Sequence, residues 1–330
     1  MQMKRVLLSL AVLIILSSHD MYLKLDQYFL EPNKETVIAL YNGTFDRSDN
    51  VITRDRMIDV SVVGNGKRSN PDAAAWFERE ETTYLNITTE APGTWVAGVS
   101  TKPRTFGMSA QDFNDYLKHD GVLDVLEDRK QKGTLGDTAI ERYSKHVKTI
   151  FQVGNQRSND YKTELGYPIE FLLLENPYDI HPGHGLSVKL VFNQKPLANQ
   201  LVYVGHQASG EHTHDGTTHS HEDGAEHQHD ELMQLRTDEQ GMLNIPISEE
   251  GIWYVRTIHL VEVEEAGLTH ESNWATVTFA IGGGHSHDHG HDHAHHDHEH
   301  EHEEGIPLYV FVLLSVVLIA ALFFWFNKKK

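Results

Sequence analysis

The chain has 330 residues, of which 24 are histidine and none is cysteine, and its formal net charge is −20 with histidine counted as neutral. This acidic balance argues against nucleic acid or anionic lipid as the principal partner. Because cysteine is absent, disulfides and thiolate metal sites are excluded, and a metal ion has to be held by imidazole, carboxylate, carbonyl or amine groups. The length leaves room for two ordinary domains.

Residues 1–18 have the layout of a secretory signal peptide. Lys4 and Arg5 precede an apolar stretch at 6–16, which is too short to span a bilayer comfortably, and small residues follow it. We therefore expect cleavage after Ser18, with an uncleaved anchor as the alternative.

Cleavage at this point would make His19 the first residue of the mature chain. A free N-terminal amine and a ring nitrogen of the same histidine can together chelate one metal ion, and imidazole is a common ligand of transition metals. The candidates for a further ligand are His119, His146 and His259. The alternative is that His19 only begins the first ordered strand.

Residues 19–154 are predicted to form a first β-sandwich domain. Segments such as 35–42, ETVIALYN, alternate between apolar and polar residues, as strands with one buried face do. Stretches rich in turn residues, such as 64–72, GNGKRSNPD, separate these segments.

A helical insertion is predicted at 109–145 within this first domain. Ser109 is expected to cap its first helix, and Gly121 and Gly133 are expected to break or end the helices. A second short helix is expected through 137–145, DTAIERYSK.

A polar linker at 155–168 is predicted to separate the first domain from a second β-sandwich domain at 169–281. Seven strand candidates in the second domain have spacings suited to a sandwich. Between the third and fourth of these candidates, a His-rich loop at 206–230 has no apolar period and cannot pack into a core.

The end of the chain combines a charged tail with an apolar run. Residues 282–304 are rich in His, Asp and Glu and are predicted to be disordered, 305–327 are predicted to form a transmembrane helix, and three lysines follow at 328–330. Positive residues stay in the cytoplasm, so we expect a single-pass protein of the bacterial inner membrane with the bulk of the chain in the periplasm.

The predicted fold class is therefore mainly β, with two Ig-like or transthyretin-like β-sandwich domains, a helical insertion in the first, and one C-terminal transmembrane helix. This class follows from short alternating segments bounded by turn residues, followed by a single long apolar run.

Two segments carry histidines at metal-ligand spacing among carboxylates. In an extended segment, histidines two residues apart point to one side, and neutral imidazole binds Zn, Ni, Cu and Co ions. Without an imposed geometry, affinity is expected to follow the Irving–Williams order rather than to select nickel. The alternative is compositional drift in a solvated spacer. The predicted metal ligands besides His19 are His212, His214, His219, His221, His227, His229, His285, His287, His289, His291, His293, His295, His296, His298, His300 and His302.

The chain resembles the DUF4198 family over roughly residues 19–281. The resemblance rests on GTWVAGVSTKPRTFGMSAQDFNDYLKHDGVLDVLEDRK in the first predicted domain and on GYPIEFLLLENPYDIHPGHGLSVKLVFNQKPLANQLVYV in the second. Proteins of this family are extracytoplasmic sandwich proteins described as similar to the periplasmic component of nickel and cobalt uptake systems. The resemblance therefore implies a metal-related role without fixing the metal.

From the histidine chemistry and this resemblance we expect a membrane-anchored periplasmic protein that binds divalent transition-metal ions, Ni, Co, Zn or Cu, for uptake or buffering. Its expected partners are these ions and the membrane subunits of a metal transporter, with no nucleic acid.

Two alternative functions stay open at this point. One is a structural or adhesive cell-surface module with a solvated His-rich stalk, and the other is a copper redox protein that uses His19. No catalytic triad, paired carboxylates or phosphate-binding glycine loop is recognisable in the sequence, so we do not expect an enzyme.

Overall fold

Alternating apolar and polar residues place about half of the described residues in β-strands, which form three sheets. The computed structural model describes residues 20–208 and 232–282. In these ranges the chain forms 18 strands, two α-helices and four 3₁₀ helices, the last at Arg54–Arg56, Ala73–Ala75, Asp160–Lys162 and Pro177–Asp179.

The largest sheet contains ten strands, and two smaller sheets contain four strands each. The large sheet has the order β15 (Met233–Arg236), β14 (Leu201–Ala208), β17 (Gly251–Glu262), β18 (His270–Ile281), β10 (Ala139–Val153), β8 (Gly93–Thr101), β4 (Met57–Gly64) and β5 (Lys67–Ser69), while β2 (Phe29–Leu30) and β9 (Arg104–Met108) also pair with β10. One small sheet has the order β1 (Asp20–Lys24), β3 (Glu35–Gly43), β7 (Thr82–Thr88) and β6 (Trp76–Arg79). The other contains β11 (Ile169–Leu173), β12 (Gly185–Phe192), β13 (Lys195–Pro196) and β16 (Met242–Pro246).

Buried side chains from all three sheets form one hydrophobic cluster. Leu23 and Ile38 come from the first small sheet, Phe151 and Val277 from the large sheet, and Phe171 from the second small sheet. Each such side chain contributes about 1.5–3 kcal/mol when it leaves water, so this shared core holds the sheets face to face as a β-sandwich.

The parallel pair formed by β10 and β18 joins segments on both sides of the predicted linker. Its register runs from Glu141 opposite His270 to Thr149 opposite Thr278. The large sheet is therefore continuous across residues 155–168, while the division of the chain into two domains stays a prediction.

The two helices begin and end where the sequence indicates. The first, α1 (Ala110–His119), is capped by Ser109, whose hydroxyl oxygen accepts a hydrogen bond from the Asp112 amide at 3.1 Å. The second, α2 (Leu123–Lys132), ends at Gly133, which has a φ of 72° in the left-handed region.

The predicted short helix through 137–145 is wrong, because residues 139–145 lie in β10. Glu141 and Lys145 are four residues apart, which resembles a helical ion pair. In the structure both side chains are buried on one face of a strand that pairs with β9 on one side and β18 on the other. Two ladders of backbone hydrogen bonds thus outweigh the helical pattern of the side chains.

The transmembrane part of the predicted fold class is contradicted. Each α-helix in the described ranges has ten residues, and none there is long and apolar enough to cross a membrane, which takes about 20 apolar residues. The predicted single-pass inner-membrane location is contradicted by the same finding. Residues 1–18 and 305–327, on which the signal-peptide and membrane-helix predictions fall, lie outside the described residues.

Candidate functional site

The residues predicted as metal ligands all lie outside the described ranges. They are His19, His212, His214, His219, His221, His227, His229, His285, His287, His289, His291, His293, His295, His296, His298, His300 and His302. Among residues 20–208 and 232–282, no three His, Asp or Glu side chains are grouped so that they could hold a metal ion.

The points at which the two histidine-rich segments leave the sheet are neighbours. Ala208 at the end of β14 pairs with Gly251, and Gly251 pairs with Ile281 at the end of β18. Since adjacent strands lie about 4.8 Å apart, Ala208 and Ile281 are separated by roughly 10 Å along one row of the sheet. The last strand residues before both segments therefore lie at the same end of the same sheet.

Gly251 allows the three strands to meet in this row. Its φ of 146° lies in the region that favours glycine, and a Cβ at this position would lie 2.2 Å from the carbonyl oxygen of Gln207. A larger residue would force β14 and β17 apart at the row where the segments begin.

Carboxylates lie beside this end of the sheet. Glu249 Oε1 is 2.6 Å from Nε2 of His206, whose ring stacks on Trp253 with 4.7 Å between ring centroids. The Glu250 side chain lies so near Gly282 that a Cβ added there would meet its Cδ at 2.2 Å. This end of the sheet thus carries one histidine, His206, and two acids, Glu249 and Glu250. The two histidine-rich segments combine the same residue types in their sequences.

The three histidines considered as partners of His19 make separate contacts. His119 Nδ1 lies 3.5 Å from Oδ1 of Asp120, and the hydrogen bond between them raises the pKa of His119. His146 is buried with Nδ1 2.9 Å from Ser100 Oγ, and burial lowers its pKa to about 4. His259 Nδ1 lies 2.9 Å from Oε1 of Gln200, and burial lowers its pKa. The structure does not bring these side chains together as one site.

Asp20, which directly follows His19, is half-buried and forms an ion pair with the buried Arg256. Its Oδ2 lies 3.3 Å from Nη1 of Arg256, and the same nitrogen donates to the backbone oxygen of Asp120 at 3.3 Å. Burial raises the pKa of the Asp120 carboxyl to about 6. A buried guanidinium that contacts the Asp20 carboxylate and the backbone oxygen of Asp120 disfavours a cation at this point.

A cavity of about 580 Å³ lies beside β9, β10 and α1. Because strand residues two apart share a face, Glu141, Tyr143 and Lys145 of β10 all line it. Phe106 and Arg104 of β9 stand opposite Glu141 and Tyr143 and line the same wall. The other lining residues are Met21, Asn42, Asn50, Val51, Ile52, Arg56, Thr101, Thr105, Met108, Asp112, Tyr116 and Trp274.

Glu141 is a fully buried carboxyl in the wall of this cavity. It accepts hydrogen bonds from the hydroxyls of Ser272 and of Tyr116, the latter at 3.3 Å. Its second oxygen, Oε2, has no hydrogen-bond partner among the described residues. Burial raises the pKa of Glu141 to about 7, so this side chain is only partly ionised at neutral pH.

Lys145 is a buried amine in the same wall. Its Nζ donates to Oδ1 of Asn42 at 3.1 Å and lies 4.8 Å from the ring centroid of Trp274. Burial lowers the pKa of Lys145 to about 8, which still leaves the amine mainly protonated at neutral pH.

The sequence predictions missed this cavity, although one signal for it was visible. Glu141 and Lys145 precede 146–153, HVKTIFQV, which has the β-branched and aromatic residues of a strand, and charged residues continuing into a strand suggest a polar site. The sequence could not show which distant residues complete the cavity, because Asn42, Trp274 and Tyr116 come to it from separate parts of the chain.

Comparison with known proteins finds one family. A family model described as "Domain of unknown function (DUF4198)" matches residues 16–261. No curated protein matches the chain.

Several solved structures are distantly similar. An alpha-2-macroglobulin of Salmonella reacted with methylamine is 11% identical with a TM-score of 0.20, and the match covers 80% of this chain and 15% of that one. The D0-D1 domain of intimin is 10% identical with a TM-score of 0.17, covering 79% of this chain and 97% of that one. The Yersinia pseudotuberculosis adhesin InvE is 14% identical with a TM-score of 0.19, covering 79% and 58%. At such scores these likenesses carry no argument about function.

Proposed function

The chain belongs to the DUF4198 family, a domain of unknown function, and we propose that it captures divalent transition-metal ions on two histidine-rich segments, 212–229 and 285–302. The ions, nickel, cobalt or zinc, would be held in reserve or supplied to the membrane subunits of a metal transporter. The first segment contains six histidines and the second ten, interleaved with carboxylates. Neutral imidazole is a preferred ligand of these ions, and nearby acids raise their local concentration.

The observation that carries this proposal is the common origin of the two segments. Ala208 and Ile281 lie in one row of the sheet, roughly 10 Å apart. Four residues lead from Ala208 to His212 and four from Ile281 to His285, and four residues span at most about 14 Å. These lengths would allow the first histidines of both segments to reach one shared ion.

The acids at this end of the sheet support the same function. Glu249 and Glu250 lie beside the starting points of the segments, and Glu249 contacts His206. Together with the net charge of −20 they would draw cations toward the histidines and repel anions.

The bound ion load is expected to fall steeply between pH 7.5 and 5.5. Imidazole has to lose its proton to bind a metal, and with an ordinary pKa near 6.5 the neutral fraction falls about tenfold over this range. Equilibrium dialysis of the full chain against Ni²⁺ at both pH values, with circular dichroism as a check on folding, measures this. An equal load at pH 7.5 and 5.5 would mean that imidazole does not hold the ions.

A further inference from the structure

We propose that the cavity beside β9, β10 and α1 binds a small organic carboxylate with an apolar or aromatic body. This site is separate from the proposed metal capture and does not depend on it. With a volume of about 580 Å³ the cavity falls within the range of roughly 300–1,000 Å³ that ligand sites occupy.

The wall of the cavity supplies the apolar and aromatic surface that such a ligand needs. Trp274 and Tyr116 are nearly parallel, with 6.2 Å between ring centroids, and Phe106 meets Tyr143 edge to face at 5.4 Å. All four of these aromatic residues line the cavity, together with Met21, Val51, Ile52 and Met108. An apolar body would gain burial against these side chains, at about 25 cal/mol per Å² of apolar surface removed from water.

Three cations converge on the cavity of a chain that is acidic as a whole. They are Lys145, Arg56 and Arg104, all of which line it. Burial is the main cause of the lowered pKa values of Arg56 and Lys145, and repulsion by Arg104 and by Arg56, respectively, lowers them further. At Lys145 the attraction of Asp20 and Asp120 partly counteracts this lowering. A bound carboxylate would relieve this repulsion.

Two carboxyls in the lining offset these cations only in part. They are Asp112, at the start of α1, and Glu141, which is partly protonated at neutral pH, so fewer than two negative charges face three positive ones. The cavity wall therefore carries a net positive charge, which favours an anion over a metal cation.

The buried oxygen of Glu141 points to a ligand independently of these charges. A buried polar atom without a hydrogen-bond partner lowers the stability of the folded protein by about 1–3 kcal/mol, so such an atom suggests a partner that binds there. Glu141 Oε2 has no hydrogen-bond partner in the described part of the chain, and its side chain lines the cavity. When protonated it can donate a hydrogen bond to a carboxylate that Lys145 attracts.

The test is titration calorimetry of the full chain at pH 7 with benzoate, 2-naphthoate and octanoate, each paired with its neutral amide. At least one carboxylate is expected to bind with a Kd below about 1 mM and at least tenfold more tightly than its amide, a ratio that corresponds to about 1.4 kcal/mol. If none of the three carboxylates binds in this range, or if the amides bind equally well, the proposal is wrong.

Two cavity variants and one control locate the binding. Lys145→Met is expected to weaken carboxylate binding at least tenfold, and Arg104→Gln, an exposed change that leaves the core intact, several-fold. The matched control is Lys34→Gln, which removes an exposed positive charge outside the cavity lining and should leave the affinity unchanged. Equal losses in Arg104→Gln and Lys34→Gln would show that only net charge acts, and unchanged affinity in both cavity variants would place the ligand elsewhere.

Discussion

Replacing Glu170 with Gln is expected to lower the free energy of unfolding by about 3–5 kcal/mol. The Glu170 carboxylate lies 3.1 Å from Nζ of Lys148, and both side chains are only 2% exposed. It also accepts hydrogen bonds from the backbone amides of Leu165, Gly166 and Tyr167 at 2.7–2.9 Å. The substitution leaves the Lys148 charge buried without its counterion and turns an amide donor toward other donors.

Urea unfolding of the two proteins without added metal measures this loss. The control is Glu239→Gln, a change of the same kind at an exposed position away from Lys148, which should alter stability by no more than about 0.5 kcal/mol. If Glu170→Gln changes the free energy of unfolding no more than the control does, the buried ion pair between Glu170 and Lys148 does not stabilise the fold as proposed.

Replacing Glu141 with Gln is expected to raise the free energy of unfolding, by about 2 kcal/mol more at pH 8 than at pH 5. Burial raises the pKa of Glu141 from 4.5 to about 7 in the folded protein. The folded state thus binds a proton more readily than the unfolded chain, so this group's contribution to stability is present below pH 4.5 and is lost as the pH rises through about 7. Gln cannot ionise, yet it keeps an oxygen that accepts from Ser272 and Tyr116.

Urea midpoints of both proteins at pH 5, 6, 7 and 8 give the difference directly. Other groups with shifted pKa values, such as His146 and Asp120, are common to both proteins and largely cancel in it. Glu239→Gln, at an exposed position, is the control and should show no such trend. A difference between Glu141→Gln and the parent that stays constant from pH 5 to 8 would mean that Glu141 is ionised throughout.

Local patterns predict much of the secondary structure. The alternation in 35–42 falls within β3, and Ser109 and Gly133 mark the start of α1 and the end of α2 as expected. The pattern fails at 137–145, where the polar residues of β10 face a cavity instead of solvent. A strand with polar residues buried on one face gives no simple apolar alternation, so the sequence favours the wrong element.

Long-range arrangement could not be predicted in the same way. The parallel pairing of β10 with β18 joins Glu141 to His270, residues 129 positions apart, and no local pattern encodes it. The same holds for the row in which Ala208 and Ile281 lie on either side of Gly251, which is set by the lengths and registers of β14, β17 and β18. Composition alone reveals the two histidine clusters. That the strands preceding them end in one row of the sheet follows only from the strand pairing.

Counting the ions on the full chain and on deletion variants tests the proposed metal capture most directly. The variants lack 212–229, 285–302 or both segments, and native mass spectrometry after exposure to Ni²⁺ at pH 7.5 gives the number of ions per chain. With roughly four ligands per ion, 16 histidines would hold on the order of four ions on the full chain. We expect each single deletion to lower this number and the double deletion to bring it near zero. A double-deletion variant that holds as many ions as the full chain would contradict metal capture by the two segments.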